Sequence, residues 1–290
     1  MNTDFIKDAA RRLGLTCTGI ASAHLPVPET EQPVCPLASG KGRERYDLTA
    51  LLPDCLAAVV ILFPYYNGES EKTNLSLYCQ LEDYHLIVPA YLEKLAAVLA
   101  SYGGTQRCIA DTSPLTERLL AVEAGLGFIG DNQCLIHPVY GSYCFIGAVL
   151  TTLPLTPDTP MDRECLHCGA CQRMCPGGCL SEGTYDYHLC KSYLTQKKEP
   201  LTDREMEVIA RTPLIFGCDE CQRVCPHNKG VPITPIVEFR QNRLTMLRKE
   251  DIESLTNRQF RTTYGNRPFS WRGKKILLRN LDIVHAKTGL

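Results

Sequence analysis

The sequence contains no apolar run of the roughly 18 residues that a membrane-spanning helix needs. Arg11-Arg12 would suit a twin-arginine export signal, but the LGLTCTGIASA that follows is only weakly apolar, and Gly14 is typical of a helix C-cap. The formal net charge is −1, which gives the chain as a whole no character of a polyanion binder. We therefore predict a protein without a membrane segment that works in the cytoplasm.

The sequence also lacks the shape of a secreted disulfide protein. It holds 16 cysteines, but they are spread over 290 residues that carry no convincing export signal. Five of the cysteines fall within residues 165–180 and three more within residues 218–228. Their C-x-x-C spacing favours metal ligation in a reducing compartment.

The two cysteine clusters predict a pair of [4Fe–4S] clusters. The first, CLHCGACQRMCPGGCL, follows the C-x2-C-x2-C-x3-C-P pattern of bacterial ferredoxins, in which the fourth cysteine binds the other cluster. The second, CDECQRVCPHN, is one cysteine short, and Cys190 lies between the two. The crossing rule assigns one cluster to Cys165, Cys168, Cys171 and Cys225. It assigns the other cluster to Cys175, Cys190, Cys218 and Cys221.

Zinc is the alternative occupant of these cysteines. It would favour two C-x-x-C pairs at ribbon spacing, without the C-x3-C-P ending. Cys179 is a ninth candidate ligand, which we interpret as a bystander. Six further cysteines are interpreted as small buried hydrophobic residues: Cys17, Cys35, Cys55, Cys108, Cys134 and Cys144.

Helix and strand signals alternate through residues 1–155, which predicts an α/β or α+β fold. The patterns predict strands at residues 55–66, 106–110 and 141–155. They predict helices at the N-terminus, at 86–103, at 113–127 with Ser113 as its cap, and at 202–213. We predict three segments: 1–155, which uses the electrons, 156–228, which holds the clusters, and 229–290, which is helical and basic.

The C-terminal segment has a charge of its own. From Lys229 to the end, 13 Lys/Arg stand against 5 Asp/Glu, a net of +8, whereas residues 1–228 carry a net of −9. This asymmetry favours an anionic partner, such as the phosphates of a nucleic acid. A solvated helical face is the alternative interpretation.

Asp111, in CIADTSPLTERLL, lies where a predicted strand ends and a predicted helix begins. Ligands bind at that edge of α/β sheets, and a carboxylic acid there can deliver a proton to a reacting oxygen. The alternative is an ordinary helix-start residue that the helix dipole favours. From the residues alone, His85 is interpreted as a structural histidine and Arg45 as a solvated surface charge.

Several blocks of the sequence, in this order, resemble tRNA epoxyqueuosine reductases. They are ADTSPLTERLLAVEAGLGFIGDNQCLIHPVYGSYCFIGAVLTTLPL, the first cysteine run, LCKSYLT and GCDECQRVCPHN. The resemblance covers roughly residues 5–285. The cysteine motifs alone would fit many ferredoxin-like proteins, whereas the upstream block together with CKSYLT is much more specific.

The resemblance implies a cobalamin-dependent iron–sulfur enzyme that reduces epoxyqueuosine at the wobble position of tRNA to queuosine. It implies an α+β architecture: an α/β cobalamin-binding domain related to reductive dehalogenases, a two-[4Fe–4S] ferredoxin-like module and a short helical tail. Asp111 matches the proton donor of the family. The matching corrin contacts fall on Arg45, Cys79, Asn132, Ile146 and Ser192. We further expect tRNA and an external electron donor, such as flavodoxin or ferredoxin, as partners of a monomer.

Three features depart from the family pattern. Asp131 stands where the family usually has Lys, and the region between Pro26 and Arg45 is shorter. The chain ends at KKILLRNLDIVHAKTGL, whereas full-length members continue into helical repeats that help to dock tRNA. Two other functions therefore stay open: a corrinoid reductase of a small molecule such as an organohalide, and a pure [4Fe–4S] electron-transfer protein without a substrate.

Overall fold

The computed structural model describes residues 3–29, 34–38, 40–70, 72–181 and 184–288. The ends of the predicted segments at 1 and 290, and part of the region between Pro26 and Arg45, lie outside these residues. The helices are α1 Asp4–Arg12, α2 Tyr84–Ala100, α3 Glu117–Glu123, α4 Ala170–Met174, α5 Lys191–Leu194, α6 Asp203–Ala210, α7 Glu220–Arg223, α8 Lys249–Ile252, α9 Asn257–Tyr264 and α10 Lys274–Thr288. The strands are β1 Cys17–Ser22, β2 Ala57–Pro64, β3 Gln106–Ile109, β4 Phe128–Ile129, β5 Leu135–Ile136, β6 Cys144–Thr151, β7 Leu180–Ser181 and β8 Thr184–Tyr185. Short 3₁₀ helices lie at Gly42–Tyr46, Leu48–Ala50, Leu77–Gln80, Tyr187–Leu189, Pro226–Asn228, Glu238–Arg240 and Ser270–Arg272.

A four-stranded sheet, in the order β1-β2-β6-β3, forms the centre of the N-terminal half. Every neighbouring pair is antiparallel; β2, for example, pairs Ala57 with Thr151 and Pro64 with Cys144 of β6. All eight residues of β2 are buried, because helices cover both faces of the sheet. A strand that is buried on both faces reads as one continuous apolar run, as the AAVVILFP of β2 does.

Alternate residues of β2 enter different hydrophobic cores, as the two-residue period of a strand requires. Val59, Ile61 and Phe63 pack with α1 and α2 on one face of the sheet. Val60 and Leu62 pack on the other face, where α3 lies. The sheet is therefore the middle layer of an α+β sandwich, which is the fold class predicted from the sequence.

Two local predictions need correction. The helix predicted at residues 113–127 begins only at Glu117, because Asp111 has a φ of 57° and residues up to Thr116 form a loop. The Ser113 hydroxyl accepts a hydrogen bond from Leu115 N at 3.3 Å, so it caps this loop and not the helix. The strand β1 was not predicted, although it lies beside the central strand β2.

The cysteine segment and the C-terminal segment share cores with the N-terminal half. One hydrophobic cluster joins Leu75 and Cys79 to Leu194 and Phe216 of the cysteine segment and to Leu281 of α10. The C-terminal segment also contributes to the core beneath α1 and α2, through residues 236 and 239. It is less helical than predicted, since its first 20 residues hold a single 3₁₀ turn before α8 begins. The three-segment division stays a prediction.

No helix in the described part of the chain combines the length and the apolar composition that crossing a membrane requires.

Candidate active site

A cavity of about 280 Å³ opens beside Asp111, at the end of the sheet where β3 finishes and β6 begins. Asp111 follows β3 by two residues, and Cys144 to Ile146 are the first residues of β6. Because these strands are antiparallel, the cavity does not lie at the carboxyl edge of a parallel sheet, where the sequence interpretation placed it. Its wall contains Arg45, Tyr84, Asp111, Glu117, Arg118 and Ile146.

The loop that carries Asp111 is held from both ends. Asp111 has a left-handed φ of 57°, a conformation that Asp and Asn tolerate better than most residues. Its backbone N–H donates to Glu117 Oε1 at 2.7 Å. Further along the loop, Thr116 N donates to the carbonyl of Arg45 at 2.9 Å. These bonds leave the Asp111 side chain exposed to the cavity.

Two side chains from the start of α2 contact the Asp111 carboxylate. The Tyr84 hydroxyl donates to Asp111 Oδ2, and its ring stacks on Phe145 with centroids 4.1 Å apart. His85 Nε2 lies 3.2 Å from the same oxygen. The other ring nitrogen of His85, Nδ1, lies 2.8 Å from Asp83 Oδ1. Since carboxylates only accept hydrogen bonds, this geometry favours an imidazole with hydrogens on both nitrogens.

The pKa shifts follow from these contacts. The hydrogen bond to His85 lowers the pKa of the Asp111 carboxyl. Hydrogen bonds to Asp111 and then Asp83 raise the pKa of His85 to about 9. Burial, with the charge of Asp111 added, raises the pKa of Glu117 to about 8. At neutral pH the proton of the pair therefore sits on His85, and Asp111 is ionised.

The first cysteine cavity is lined by four thiols, Cys165, Cys168, Cys171 and Cys225. Left-handed residues His167 and Gly169, with φ of 46° and 68°, let the chain wind around it. His167 Nδ1 lies 2.9 Å from Asp131 Oδ1, which ties this loop to the β4–β5 hairpin. The four thiols are those that the sequence assigns to one [4Fe–4S] cluster.

The second cysteine cavity has a volume of about 320 Å³. It is lined by Cys35, Cys134, Cys175, Cys179, Cys190, Cys218 and Cys221. The set includes the four thiols that the sequence assigns to the other cluster, together with three that it does not. Arg118 lies in the wall of this cavity and in the wall of the Asp111 cavity, so the two are neighbours.

Lys191 fixes the segment that carries Cys190 and Ser192. Its ammonium is fully buried and donates to Ile209 O at 2.7 Å, to Thr212 O at 2.8 Å and to Thr212 Oγ1 at 2.6 Å. Three acceptors satisfy all three donors of the ammonium, which is what makes its burial tolerable. Burial lowers the pKa of Lys191 to about 8.

The residues predicted to contact a corrin occupy different positions. Arg45 and Ile146 line the Asp111 cavity, whereas Asn132 and Ser192 line the second cysteine cavity. Cys79 lies in neither wall, because it is completely buried among Leu75, Leu194 and Phe216. The structure thus brings four of the five to two adjoining cavities and places the fifth in the core behind them. Their role as contacts stays a prediction.

Several residues of this region were not predicted from the sequence. Tyr84, His85 and Glu117 surround Asp111, and Arg118 joins the two cavities. The sequence alone favours a structural role for His85, because an isolated histidine is more often structural than functional. The sequence DYH, with a carboxylate two residues before the imidazole at a helix start, was the available clue, since such an Asp can cap the helix and orient the ring.

Two family models match the chain. Residues 45–112 match the model described as epoxyqueuosine reductase QueG, DUF1730, and residues 164–228 match the 4Fe-4S double cluster binding domain. The second match covers all eight cysteines of the two predicted ligand sets. It confirms the prediction of two [4Fe–4S] clusters and disfavours zinc, while the assignment of individual ligands remains a prediction.

Curated relatives carry the same family name. An epoxyqueuosine reductase from Lactococcus garvieae is 33% identical over 256 residues, which are 84% of this chain and 72% of the relative. The chain belongs to the epoxyqueuosine reductase family. The epoxyqueuosine reductase from Bacillus anthracis is 36% identical over 217 residues, which are 71% of this chain. The match spans only 55% of that relative's length.

Solved epoxyqueuosine reductases have the same fold. A crystal structure with an epoxyqueuosine-modified tRNA-Tyr stem loop has a TM-score of 0.89 at 26% identity, covering 98% of this chain and 81% of that one. The Bacillus subtilis enzyme, solved with its catalytic aspartate loop swung out of the active site, has a TM-score of 0.87 at the same identity and coverage. A B12-dependent reductive dehalogenase shares the fold at a TM-score of 0.51 and 18% identity.

Proposed function

We propose that the chain reduces the epoxide of epoxyqueuosine in tRNA, which gives queuosine and water. The reaction consumes two electrons and two protons, breaks both carbon–oxygen bonds of the epoxide and leaves a carbon–carbon double bond. One observation supports the proposal most directly. In this member of the epoxyqueuosine reductase family, the cavity that contains Asp111 lies next to the cavity lined by predicted cluster thiols, and Arg118 lies in the walls of both. A site for protons and a site for electrons are thereby neighbours.

The predicted ligand sets supply the donor chemistry that [4Fe–4S] clusters need, since each is held by four thiolates. Cys165, Cys168, Cys171 and Cys225 would hold the first cluster. Cys175, Cys190, Cys218 and Cys221 would hold the second. When bound, the clusters supply single electrons and cobalamin supplies a cobalt centre that collects two.

Two buried donors near the cavities support the binding of a polar cofactor such as cobalamin. Arg45 Nε and Asn132 Nδ2 are buried and have no hydrogen-bond partner within the described residues. Leaving such donors unsatisfied costs about 1–3 kcal/mol each, so both favour a ligand that brings acceptors. We propose Arg45, Asn132, Ile146 and Ser192 as side chains that hold cobalamin. Cys79 would support the site from the core, since none of its surface is exposed.

Asp111 is the proposed proton donor, and His85 is the proposed source of its proton. The oxygen of an opening epoxide carries negative charge and leaves well only when it is protonated. Asp111 is ionised at neutral pH because His85 holds the proton, so donation requires a proton shift across the 3.2 Å contact between them. Asp83 holds the imidazole in place through Nδ1. The swinging catalytic aspartate loop of the Bacillus subtilis enzyme supports a catalytic role for the Asp111 loop.

The proposed RNA partner is supported by the charge of the C-terminal segment and by one exposed aromatic pair. Trp271 is 56% exposed, and Arg272 stacks on it with Cζ 3.7 Å from the ring centre. A cationic, aromatic surface suits an unpaired nucleotide, because bases stack on aromatic rings and phosphates are attracted to positive charge.

The remaining parts of the proposal concern the setting of the reaction. Residues 1–155 would bind cobalamin and substrate, residues 156–228 would carry electrons, and residues 229–290 would contact RNA. An external one-electron donor such as flavodoxin or ferredoxin would reduce the clusters. A monomer working in the cytoplasm, where tRNA is modified, fits these roles.

The deciding experiment is an anaerobic single-turnover assay. The full chain is reconstituted with iron, sulfide and cobalamin, reduced chemically, and mixed with epoxyqueuosine-containing tRNA, after which the nucleosides are identified by mass spectrometry. Queuosine formation supports the proposal, and the same tRNA already carrying queuosine is the control. Cobalamin binding without queuosine would favour a small-molecule corrinoid reductase. Cluster binding without cobalamin binding would favour an electron-transfer protein.

A further inference from the structure

We propose that Cys179 and Cys134 donate S–H hydrogen bonds to ligands of the second cluster and thereby raise its reduction potential. Both thiols lie in the wall of the second cysteine cavity, and neither belongs to a predicted ligand set. The inference rests on the proposed ligands Cys175, Cys190 and Cys221, and does not depend on the proposed RNA substrate.

Cys179 lies next to predicted ligands of the second cluster. Its Sγ lies 3.2 Å from Cys175 Sγ, and Cys190 packs against the same small hydrophobic cluster that contains Cys179. The backbone N–H of Cys179 donates to Cys175 Sγ at 3.4 Å. Cys179 is only 5% exposed, so water does not compete effectively for these contacts. The proposal gives Cys179 a role that its interpretation as a bystander does not include, because its thiol lies directly against that of Cys175.

Cys134 lies in the wall of the same cavity as the predicted ligand Cys221. It is the residue just before strand β5. Its S–H donates to the carbonyl oxygen of Asn132, which lies 3.7 Å from Sγ. A thiolate sulfur carries more negative charge than a carbonyl oxygen, so a Cys221 thiolate in the same cavity should attract this S–H when the cluster is bound. The proposal therefore gives Cys134 a role beyond that of a small buried hydrophobic residue.

The direction of the hydrogen bonds follows from the chemistry of the ligands. Cysteines that bind a cluster are thiolates, so the hydrogen in each pair belongs to Cys179 or Cys134. Reduction from [4Fe–4S]²⁺ to [4Fe–4S]⁺ adds one electron, which spreads negative charge onto the ligand sulfurs. Hydrogen bonds to those sulfurs stabilise the reduced state more than the oxidised state and raise the potential. The cluster nearest the Asp111 cavity would therefore be easier to reduce.

The test is a redox titration of the reconstituted full chain, followed by electron paramagnetic resonance, with dithionite as the reductant. Cys179→Ala should lower the midpoint potential of one cluster and leave the other, whose cavity neither thiol lines, unchanged. Cys179→Ser should recover most of the shift, because its hydroxyl still donates. Cys134→Ala should lower the same potential, and the double variant should lower it further. Cys17→Ala, which removes a buried thiol on β1, is the matched control.

The iron content of each variant distinguishes the loss of a hydrogen bond from the loss of a cluster ligand. Wild type and all variants should hold about eight irons, as two [4Fe–4S] clusters require. Unchanged potentials in both Cys179→Ala and Cys134→Ala at full iron would overturn the proposal. Loss of about four irons from Cys179→Ala would make this residue a ligand and also overturn its role as a donor. A wild type holding about four irons would instead contradict the ligand sets themselves, and a failure of tRNA turnover would affect neither result.

Discussion

His85 Nε2 lies 3.2 Å from Asp111 Oδ2, and the opposite ring nitrogen lies 2.8 Å from Asp83 Oδ1. The imidazole is therefore clamped between two carboxylates, which stabilise its positive charge and keep a proton next to the cavity. In the proposed mechanism, His85 would store the proton and Asp111 would deliver it to the substrate.

The rate of epoxide reduction should fall as pH rises through about 9. The raised pKa of His85 means that its proton is fully present at lower pH and is lost above that value. His85→Gln should slow single turnover and abolish this high-pH limb, the fall in rate near pH 9. Its iron and cobalamin content should be unchanged. Glu117→Gln is the control, since Glu117 has a pKa of about 8 and faces the same loop. A limb that persists in His85→Gln and vanishes in Glu117→Gln would assign it to Glu117.

Asp111→Asn should retain the fold, both clusters and cobalamin, yet slow turnover by about 10²–10⁴-fold. This corresponds to about 3–5 kcal/mol of activation free energy. Asn tolerates the left-handed φ of 57° as well as Asp does, so the loop should keep its conformation. The measurement is single-turnover epoxyqueuosine reduction beside the cobalamin absorption spectrum. A rate within about threefold of wild type would remove Asp111 from the chemistry.

Cys225→Ser should damage the cluster built mainly by the first motif. The Cys225 thiol lies in the cavity of Cys165, Cys168 and Cys171, away from its sequence neighbours Cys218 and Cys221. Iron analysis and paramagnetic resonance of the reduced protein would identify the cluster that changes. Loss of the cluster that is next to Cys134 would refute the crossed assignment.

Arg272→Glu with Lys275→Glu should weaken tRNA binding without changing cluster content. Arg272 stacks on exposed Trp271, and Lys275 is itself exposed. The slope of log affinity against log salt should become shallower by about one unit for each phosphate that is no longer neutralised. Arg279 is unsuitable for charge reversal, because it donates to the carbonyls of Lys197 and Leu194. Equal affinity of wild type and the double variant would exclude this surface from RNA recognition.

Lys191→Met should destabilise the protein by about 2–4 kcal/mol, because it leaves the carbonyls of Ile209 and Thr212 and the Thr212 hydroxyl without their buried donor. The thermal midpoint, measured anaerobically on the reconstituted chain, should fall. Lys275→Met, at an exposed position of α10, is the control and should change it little. A midpoint equal to that of the control would mean that Met packing compensates for the missing hydrogen bonds.

The sequence predicts the buried strand β2 and the helix α2 well, because local apolar patterns determine both. It fails at the start of α3, where the bond from Asp111 N to Glu117 and the left-handed Asp111 delay the helix. The loop is also held by the bond from Thr116 N to the carbonyl of Arg45, a tertiary contact that no local pattern predicts. Strand β1 is also missed, because its pairing with β2 joins segments about 40 residues apart in the chain.

The sequence likewise predicts only part of the candidate site. Spacing groups seven of the eight predicted cluster cysteines, because the loops around a cluster are short and regular. The eighth, Cys190, is predicted only because it lies between the two motifs. Nothing in the sequence brings His85 to Asp111, since α2 and the end of β3 meet only through the fold. Arg45 likewise reads as a surface charge, although its Nε is buried and lies in the wall of the Asp111 cavity.

The two cysteine cavities each draw thiols from both ends of the cysteine segment. During synthesis, a chain that has reached only Cys190 offers three proposed ligands for one cluster and two for the other. With these proposed ligands, neither cluster would be completed until the second motif has been made, and Cys225 would be the last thiol needed. Each finished cluster would then cross-link distant parts of the chain, so the loss of one cluster should loosen the segment that holds the other.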